Sequence, residues 1–294
     1  MGPRSRGSGR GLAAAVAALA LILTACGGGE EEPVTPVAED AKFDAGTTMA
    51  KFNEAGKITI GVKNDQPGIG FLEPGADSPT GFDIEIAKIV AAELGIEPSG
   101  IEWKETVSAN REPFLQNETV NMVAASYSIT DERREAVGQA GPYYVTGQQL
   151  LVKKEDDSIN GPDDLDGKKV CSVTGSTSIE TVEKDYGASP VPFSTYQECV
   201  NQLLNGSVDA VTTDGAILLG YAALNPDELK VVGEAFSEER YGLGYKKDDS
   251  EFCTFLNETM QKAFDDGSWA AAFEKTLGKA GVDTPAPPAL DPCP

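Results

Sequence analysis

Residues 81–94 read GFDIEIAKIVAAEL. Apolar side chains fall at 82, 86, 90 and 94, a spacing of four that lines them along one face of a helix. The run before it, 57–62 (KITIGV), reads as a strand, and the run after it, 101–104, reads as another. Working outward, the alternation continues. A short helix is expected at 111–116, a strand at 121–125, a helix from 131 to 137 and a strand at 149–153. Further strands are expected at 169–173, 208–212 and 229–232, with helical stretches at 176–186, 195–205 and 215–223. Two helices close the series, at 249–264 and 268–277. Repeated strand–helix units imply parallel sheets with helices on both faces. Extended stretches from Gly141 to 153 and over 239–246 supply two crossings, so the expected fold is α/β with two lobes and a cleft between them, the usual place for a ligand. No internal repeat is visible, and the proline-rich tail from 283 is expected to run over the surface.

The N-terminus speaks to compartment. Residues 1–10 carry Arg4, Arg6 and Arg10 and no acid, and 11–25 are apolar. A charged start and a short apolar run form a secretory signal, and the run is shorter than the roughly 20 residues of a membrane span. Leu23-Thr24-Ala25-Cys26 resembles the bacterial lipobox, which implies cleavage before Cys26, its diacylation and a lipid anchor on the outer face of the cell membrane. An ordinary secreted protein with a chance cysteine is the plainer alternative. The domain reading is a signal peptide at 1–25, a flexible tether at 26–50 rich in Gly, Glu and Pro, one lobe from 51–146 and 240–294, and a second from 147–239.

The net charge of −23 argues against a nucleic-acid partner, whose phosphates it would repel, and against a basic face for anionic lipid. There is no histidine, which removes the commonest general base and metal ligand. No metal, no cofactor and no catalysis are expected, and a monomer is. Beyond Cys26 lie Cys171, Cys199, Cys253 and Cys293. An even count in an exported chain suggests disulfides. Three pairings are possible; Cys171 with Cys199 and Cys253 with Cys293 are favoured by position, and free buried thiols are the alternative.

The segment Gly81-Phe82-Asp83-Ile84-Glu85-Ile86, with Val90-Ala91 and Leu94, resembles the signature of the family 3 bacterial extracellular solute-binding proteins. Ser126-Tyr127-Ser128-Ile129-Thr130-Asp131-Glu132-Arg133 resembles that family's ligand segment, and Gly141-Pro142-Tyr143-Tyr144 its proline–tyrosine–tyrosine step. Gly175-Ser176-Thr177-Ser178 and Thr213-Asp214 resemble the second-lobe ligand loops. Lys63-Asn64-Asp65-Gln66-Pro67-Gly68 and Ser108-Ala109-Asn110-Arg111 resemble the glutamate-binding lipoprotein branch, which serves ABC importers. The resemblance spans about 56 to 278. It implies the two-lobed periplasmic-binding-protein type II fold with two hinge strands, closing on its ligand and docking on a membrane permease.

The same resemblance implies roles. Arg133 would hold the ligand α-carboxylate by two parallel hydrogen bonds. Ser128 would donate beside it, and Thr177 would close on the same carboxylate from the other lobe. Asp214 would hold the α-ammonium with Ser126 as a further acceptor. Lys63, Ser108 and Arg111 would read the side chain. Each has a plainer reading: Arg133 paired with Asp131 or Glu132 on the surface, Asp214 as an N-cap, Lys63 as a solvated strand-end lysine, Arg111 as a helix-start charge. Asp83 and Glu85 read as structural, and Phe71, Tyr127 and Tyr143 as cleft lining or core. Three cations and one acid facing glutamate leave one positive charge over, which Asp65 or a neighbour would offset. Glutamine would leave Lys63 and Arg111 without an anion, a cost of a few kcal/mol if they are buried. Aspartate is harder to separate, since one methylene is worth about 1–3 kcal/mol. The competing functions are binding of glutamine or another polar amino acid, an extracellular amino-acid-sensing adaptor, and an exported dehydratase-like enzyme.

Overall fold

The computed structural model describes residues 1–2 and 35–294; Cys26 and most of the leader and tether lie outside the described residues. The first lobe begins with α1 (Thr48–Ala55), β1 (Ile58–Val62), the small hairpin of β2 (Asp65–Gln66) and β3 (Gly70–Phe71), and α2 (Phe82–Glu93). It continues through β4 (Ile101–Glu105), α3 (Arg111–Gln116), β5 (Met122–Ala124), α4 (Asp131–Ala136) and β6 (Gly138–Thr146). The second lobe holds β7 (Gln148–Lys153), β8 (Lys169–Val173), α5 (Thr177–Asp185), β9 (Ser189–Phe193), α6 (Tyr196–Leu204), β10 (Ala210–Asp214), α7 (Gly215–Leu224) and β11 (Leu229–Val232). The chain then returns to the first lobe with β12 (Glu239–Tyr245), α8 (Ser250–Asp266) and α9 (Ser268–Lys275).

Each lobe is built on one five-stranded sheet, ordered β4-β1-β5-β12-β6 in the first and β11-β7-β10-β8-β9 in the second. Strands β4, β1 and β5 run parallel, and β12 and β6 add antiparallel. In the second sheet β10, β8 and β9 run parallel, and β7 and β11 add antiparallel. The chain crosses twice, between β6 and β7 and between β11 and β12, so two connections form the hinge.

Helix α2 is buried on more than the single face its periodicity marks: Phe82, Ile84, Ile86, Ile89 and Val90 are all inaccessible or nearly so. A helix buried on nearly every side belongs in a core, and Phe82 is there packed edge-on against Tyr144, Trp269 and Phe273. Gly81, which precedes it, has φ of 129°, and a Cβ there would lie 2.3 Å from the Ile69 carbonyl oxygen. Only glycine meets both conditions, which explains the first letter of the motif.

Strand β9 is the element the sequence hid. Pro190 and Pro192 sit within it, and proline argues against a strand except at a sheet edge, where the missing N–H faces out. The sheet order puts β9 at such an edge. Helix α1 likewise lies outside the elements expected from sequence.

Sulfur atoms of Cys171 and Cys199 are 2.02 Å apart, joining β8 to α6, and those of Cys253 and Cys293 are 2.03 Å apart, fixing the tail to α8. The tail lies against the hinge. The Asp291 N–H donates to the Gly141 carbonyl (2.7 Å), and Asn257 donates to the Asp291 carbonyl (2.8 Å). The Asp291 carboxylate receives Arg134 at 2.7 Å and Arg240 at 2.5 Å.

Candidate ligand-binding site

The polar residues singled out in the sequence sit at strand ends and helix starts, where a parallel sheet presents its ligands. Lys63 follows β1 and Arg111 opens α3. Ser126 and Ser128 follow β5, and Arg133 lies in α4. From the second lobe, Ser176 to Ser178 lead into α5 and Asp214 ends β10. Ser108, Arg111, Ser126, Ser128, Arg133, Thr177 and Asp214 line one small cavity of about 10 Å³, together with Ser176, Ser178, Tyr196 and Thr213. Lys63 does not line it. Its ammonium donates to the Ser108 hydroxyl at 2.8 Å, so Ser108 stands between the lysine and the cavity.

The two arginines share an aromatic platform. The Arg111 and Arg133 guanidinium carbons lie 4.5 Å and 5.1 Å from the centre of the Tyr127 ring, within cation–π range. Arg111 donates to the carbonyls of Ser108 (3.2 Å), Ala125 (3.1 Å), Ser126 (3.0 Å) and, across the cleft, Gly175 (3.0 Å). Among the described residues no carboxylate reaches it within ion-pair distance. Burial, then the neighbouring Arg133, pushes its pKa down to about 10. Arg133 donates to the Ser128 carbonyl (2.7 Å) and to Gly175 (3.0 Å). Its anionic partner is Glu112 at 3.3 Å, not Asp131 or Glu132, and Tyr127 in turn donates to Glu112 (2.7 Å).

Lys63 is buried, and desolvation, then Arg111, pushes its pKa down to about 7, while Asp65 and Asp83 pull it up. Asp65 forms no ion pair with it; its carboxylate accepts the Tyr196 N–H at the start of α6 (2.7 Å). The buried Asp83 accepts the Ser126 N–H and the Tyr143 hydroxyl, both at 2.6 Å. The signature helix therefore fixes Ser126, whose φ of 43° is rare for a non-glycine residue. Burial lifts Asp83 to about 6 against those two hydrogen bonds.

Asp214 stands on the opposite side. It occupies the N-cap position of α7, but its side chain makes no capping bond. It instead accepts the Tyr241 hydroxyl at 2.5 Å. Burial, then Glu239, lifts its pKa to about 7, against Tyr241 and the two arginines. Glu239 was not legible as a site residue. It lies in the acid-rich run Ser237-Glu238-Glu239-Arg240, which reads as solvated charge, yet it is buried at the second crossing. Glu112 was hidden too, as an ordinary first-turn acid beside Arg111. Of the two, Glu112 supplies a counter-charge, to Arg133, while Glu239 is held by hydroxyls. Tyr127 and Tyr143 are buried without lining the cavity, and Phe71 is partly exposed. No group of His, Cys, Asp or Glu side chains fit for a metal occurs among the described residues, nor any helix long and apolar enough to cross a membrane.

Two α/β lobes, two crossings and a polar cavity where strand ends face each other define a solute-binding protein of the periplasmic type II fold. The chain belongs to the bacterial extracellular solute-binding proteins, family 3, whose pattern it matches over residues 58–279. It is 41% identical over 283 residues to the glutamate-binding protein GluB of Corynebacterium efficiens, covering 91% of each chain. It is 34% identical over 259 residues to the ABC transporter glutamine-binding protein GlnH of Bacillus subtilis, covering 87% of this chain and 92% of that one. An ancestral arginine-binding protein bound to glutamine superposes with a TM-score of 0.71 at 36% identity, over 76% of this chain and 98% of the other. The solute receptor for L-cysteine of Neisseria gonorrhoeae superposes with a TM-score of 0.76 at 28% identity, over 83% and 99%.

Proposed function

We propose that this protein is the binding component of an ABC amino-acid importer and captures L-glutamate by lobe closure. One observation carries the choice of ligand: the buried Arg111 cation and the buried Lys63 amine, whose pKa burial and Arg111 push down to about 7, have only backbone carbonyls and a hydroxyl as partners, with no carboxylate in ion-pair reach among the described residues. A buried charge without an anion is costly, and a side-chain carboxylate supplies the anion. In this reading Arg133 takes the α-carboxylate, Asp214 the α-ammonium, and Ser108 and Arg111 the distal carboxylate, with Lys63 behind Ser108. The GluB relative supports the same ligand.

Closure is written into the contacts. Both arginines of the first lobe donate to Gly175 of the second, so ligand exchanges those partners for its own oxygens and shifts the hinge equilibrium. Around this core, the reading keeps residues 1–25 as a signal peptide, Cys26 as the lipidated residue, 26–50 as tether, 51–146 with 240–294 as one lobe and 147–239 as the other, with the end of the tether entering α1 at Thr48 and Glu239 opening β12. The protein acts as a monomer on the outer face of the membrane, its lipid raising its concentration near the permease. The two cysteine pairs form disulfides in that compartment. Calorimetry of the mature protein against the twenty amino acids tests the ligand. Glutamate should bind most tightly, aspartate next, and glutamine weaker than both. Glutamine binding as tightly as glutamate would sink the assignment.

A further inference from the structure

Glu239 is the first residue of β12, directly after the second crossing, and it is not among the residues lining the cavity. Its carboxylate nevertheless touches two that are. Ser128 of the first lobe donates its hydroxyl to Oε2 at 2.5 Å, and Thr177 of the second donates to the same oxygen at 3.0 Å. The other oxygen accepts Ser237 Oγ at 3.0 Å, and that hydroxyl accepts the Gln148 N–H at 3.2 Å. Glu239 is thus held by both crossings at once.

A hydroxyl has one hydrogen and two lone pairs. With their hydrogens committed to Glu239, Ser128 and Thr177 offer a guest only lone pairs. Ser126 is in the same condition, because its hydroxyl donates to the Ala125 carbonyl at 2.9 Å. Together with the Asp214 carboxylate they make a set of acceptors, while Arg111, Arg133 and the Ser108 hydroxyl make a set of donors. We propose that Glu239 is a positioning residue for ammonium recognition: it turns the Ser128 and Thr177 hydroxyls so that both accept from the ligand's α-ammonium, one from each lobe. This rests on the reading of the ligand as an amino acid and revises one detail of it, since Thr177 and the Ser128 hydroxyl then serve the ammonium and not the α-carboxylate. Because the two hydroxyls belong to opposite lobes and share one oxygen, they are aligned only when the cleft is closed.

The substitution Glu239→Leu keeps the approximate size and removes the oxygen that the two hydroxyls share. Neither hydroxyl is then held, and each is free to turn its hydrogen toward the ammonium. Calorimetry compares L-glutamate with glutarate, which has the same two carboxylates and no ammonium. For glutamate, E239L should weaken binding roughly tenfold or more, the size of one lost hydrogen bond to a charged group; glutarate should change by less than about twofold. Equal losses for both ligands, or no loss for glutamate, would overturn the proposal. Repeating E239L in an S128A/T177V background gives a double-mutant cycle. There the substitution should no longer matter, and a full loss in that background would also overturn it. Where glutarate binds too weakly to measure, the cycle alone decides. A wild-type protein that prefers glutamine overturns the proposed ligand and not this inference, and the cycle is then run with glutamine, whose ammonium is the same.

Discussion

The Arg111 guanidinium of the first lobe lies 3.0 Å from the carbonyl oxygen of Gly175 in the second. A buried cation thereby spans the cleft to a neutral dipole. Arg133 reaches the same oxygen at 3.0 Å. One carbonyl facing two guanidiniums is a weak stand-in for a carboxylate, and the expectations below follow from what replaces it and from what permits the approach.

Closure needs room at Gly220. In α7 of the second lobe, a Cβ at this position would lie 2.2 Å from the Pro67 carbonyl of the first. Gly220→Ala should stabilise the helix by about 1 kcal/mol, because alanine suits a helix interior better. It should also hold the lobes apart and weaken ligand binding. Thermal denaturation without ligand and small-angle scattering with it read the two effects separately. A ligand-induced compaction equal to wild type would refute the close approach.

The Lys63 ammonium donates to the Ser108 hydroxyl and does not itself line the cavity. Lys63→Met should weaken glutamate more than glutamine, by about 1–3 kcal/mol, since only the former brings a carboxylate to that end. Competition between the two amino acids gives the ratio directly. An unchanged ratio would return Lys63 to a structural role.

Asp214 gives the cleft a pH dependence. In the folded, empty protein burial, then Glu239, lifts its pKa from 3.8 to about 7. The folded state therefore keeps a proton that the unfolded state has lost, and this group's contribution to stability falls as pH rises from about 4 to about 7. A bound ammonium favours the carboxylate, so binding below about pH 7 releases a proton and affinity rises with pH up to that point. Calorimetry in buffers of different ionisation enthalpy counts the proton. In Asp214→Asn that release should vanish; its persistence would assign the proton to another group.

The bridge between Cys171 and Cys199 closes a separation of 28 residues within the second lobe. Replacing both by alanine should cost about 3 kcal/mol of stability, mostly through the unfolded chain. Glutamate affinity at room temperature should hold, because neither sulfur lines the cavity. A large loss of affinity with an unchanged melting temperature would contradict this separation of roles.

Much of this architecture was legible because the sequence carries it locally. The period of 82, 86, 90 and 94 marks α2, and the residues around Arg133 and Asp214 announce strand ends. What stayed hidden depends on distant partners. Strand β9 looks forbidden until its edge position makes Pro190 and Pro192 acceptable. Glu239 looks like surface charge until the second crossing buries it between Ser128 and Thr177. Lys63 is beside the cavity in the chain's pattern, but Ser108 intervenes in space. Asp83 reads as structural from its place in the signature helix, and the fold adds what it holds, the backbone at Ser126.

The strap at Asp291 has a mechanical result. It ties Gly141, Arg134 and Arg240 to a tail that is itself riveted to α8. Every one of those anchor points lies on the same half of the molecule. That half carries the braced ends of both hinge strands in one frame. A rotation of one lobe against the other would leave every one of these ties intact, because none of them crosses the cleft.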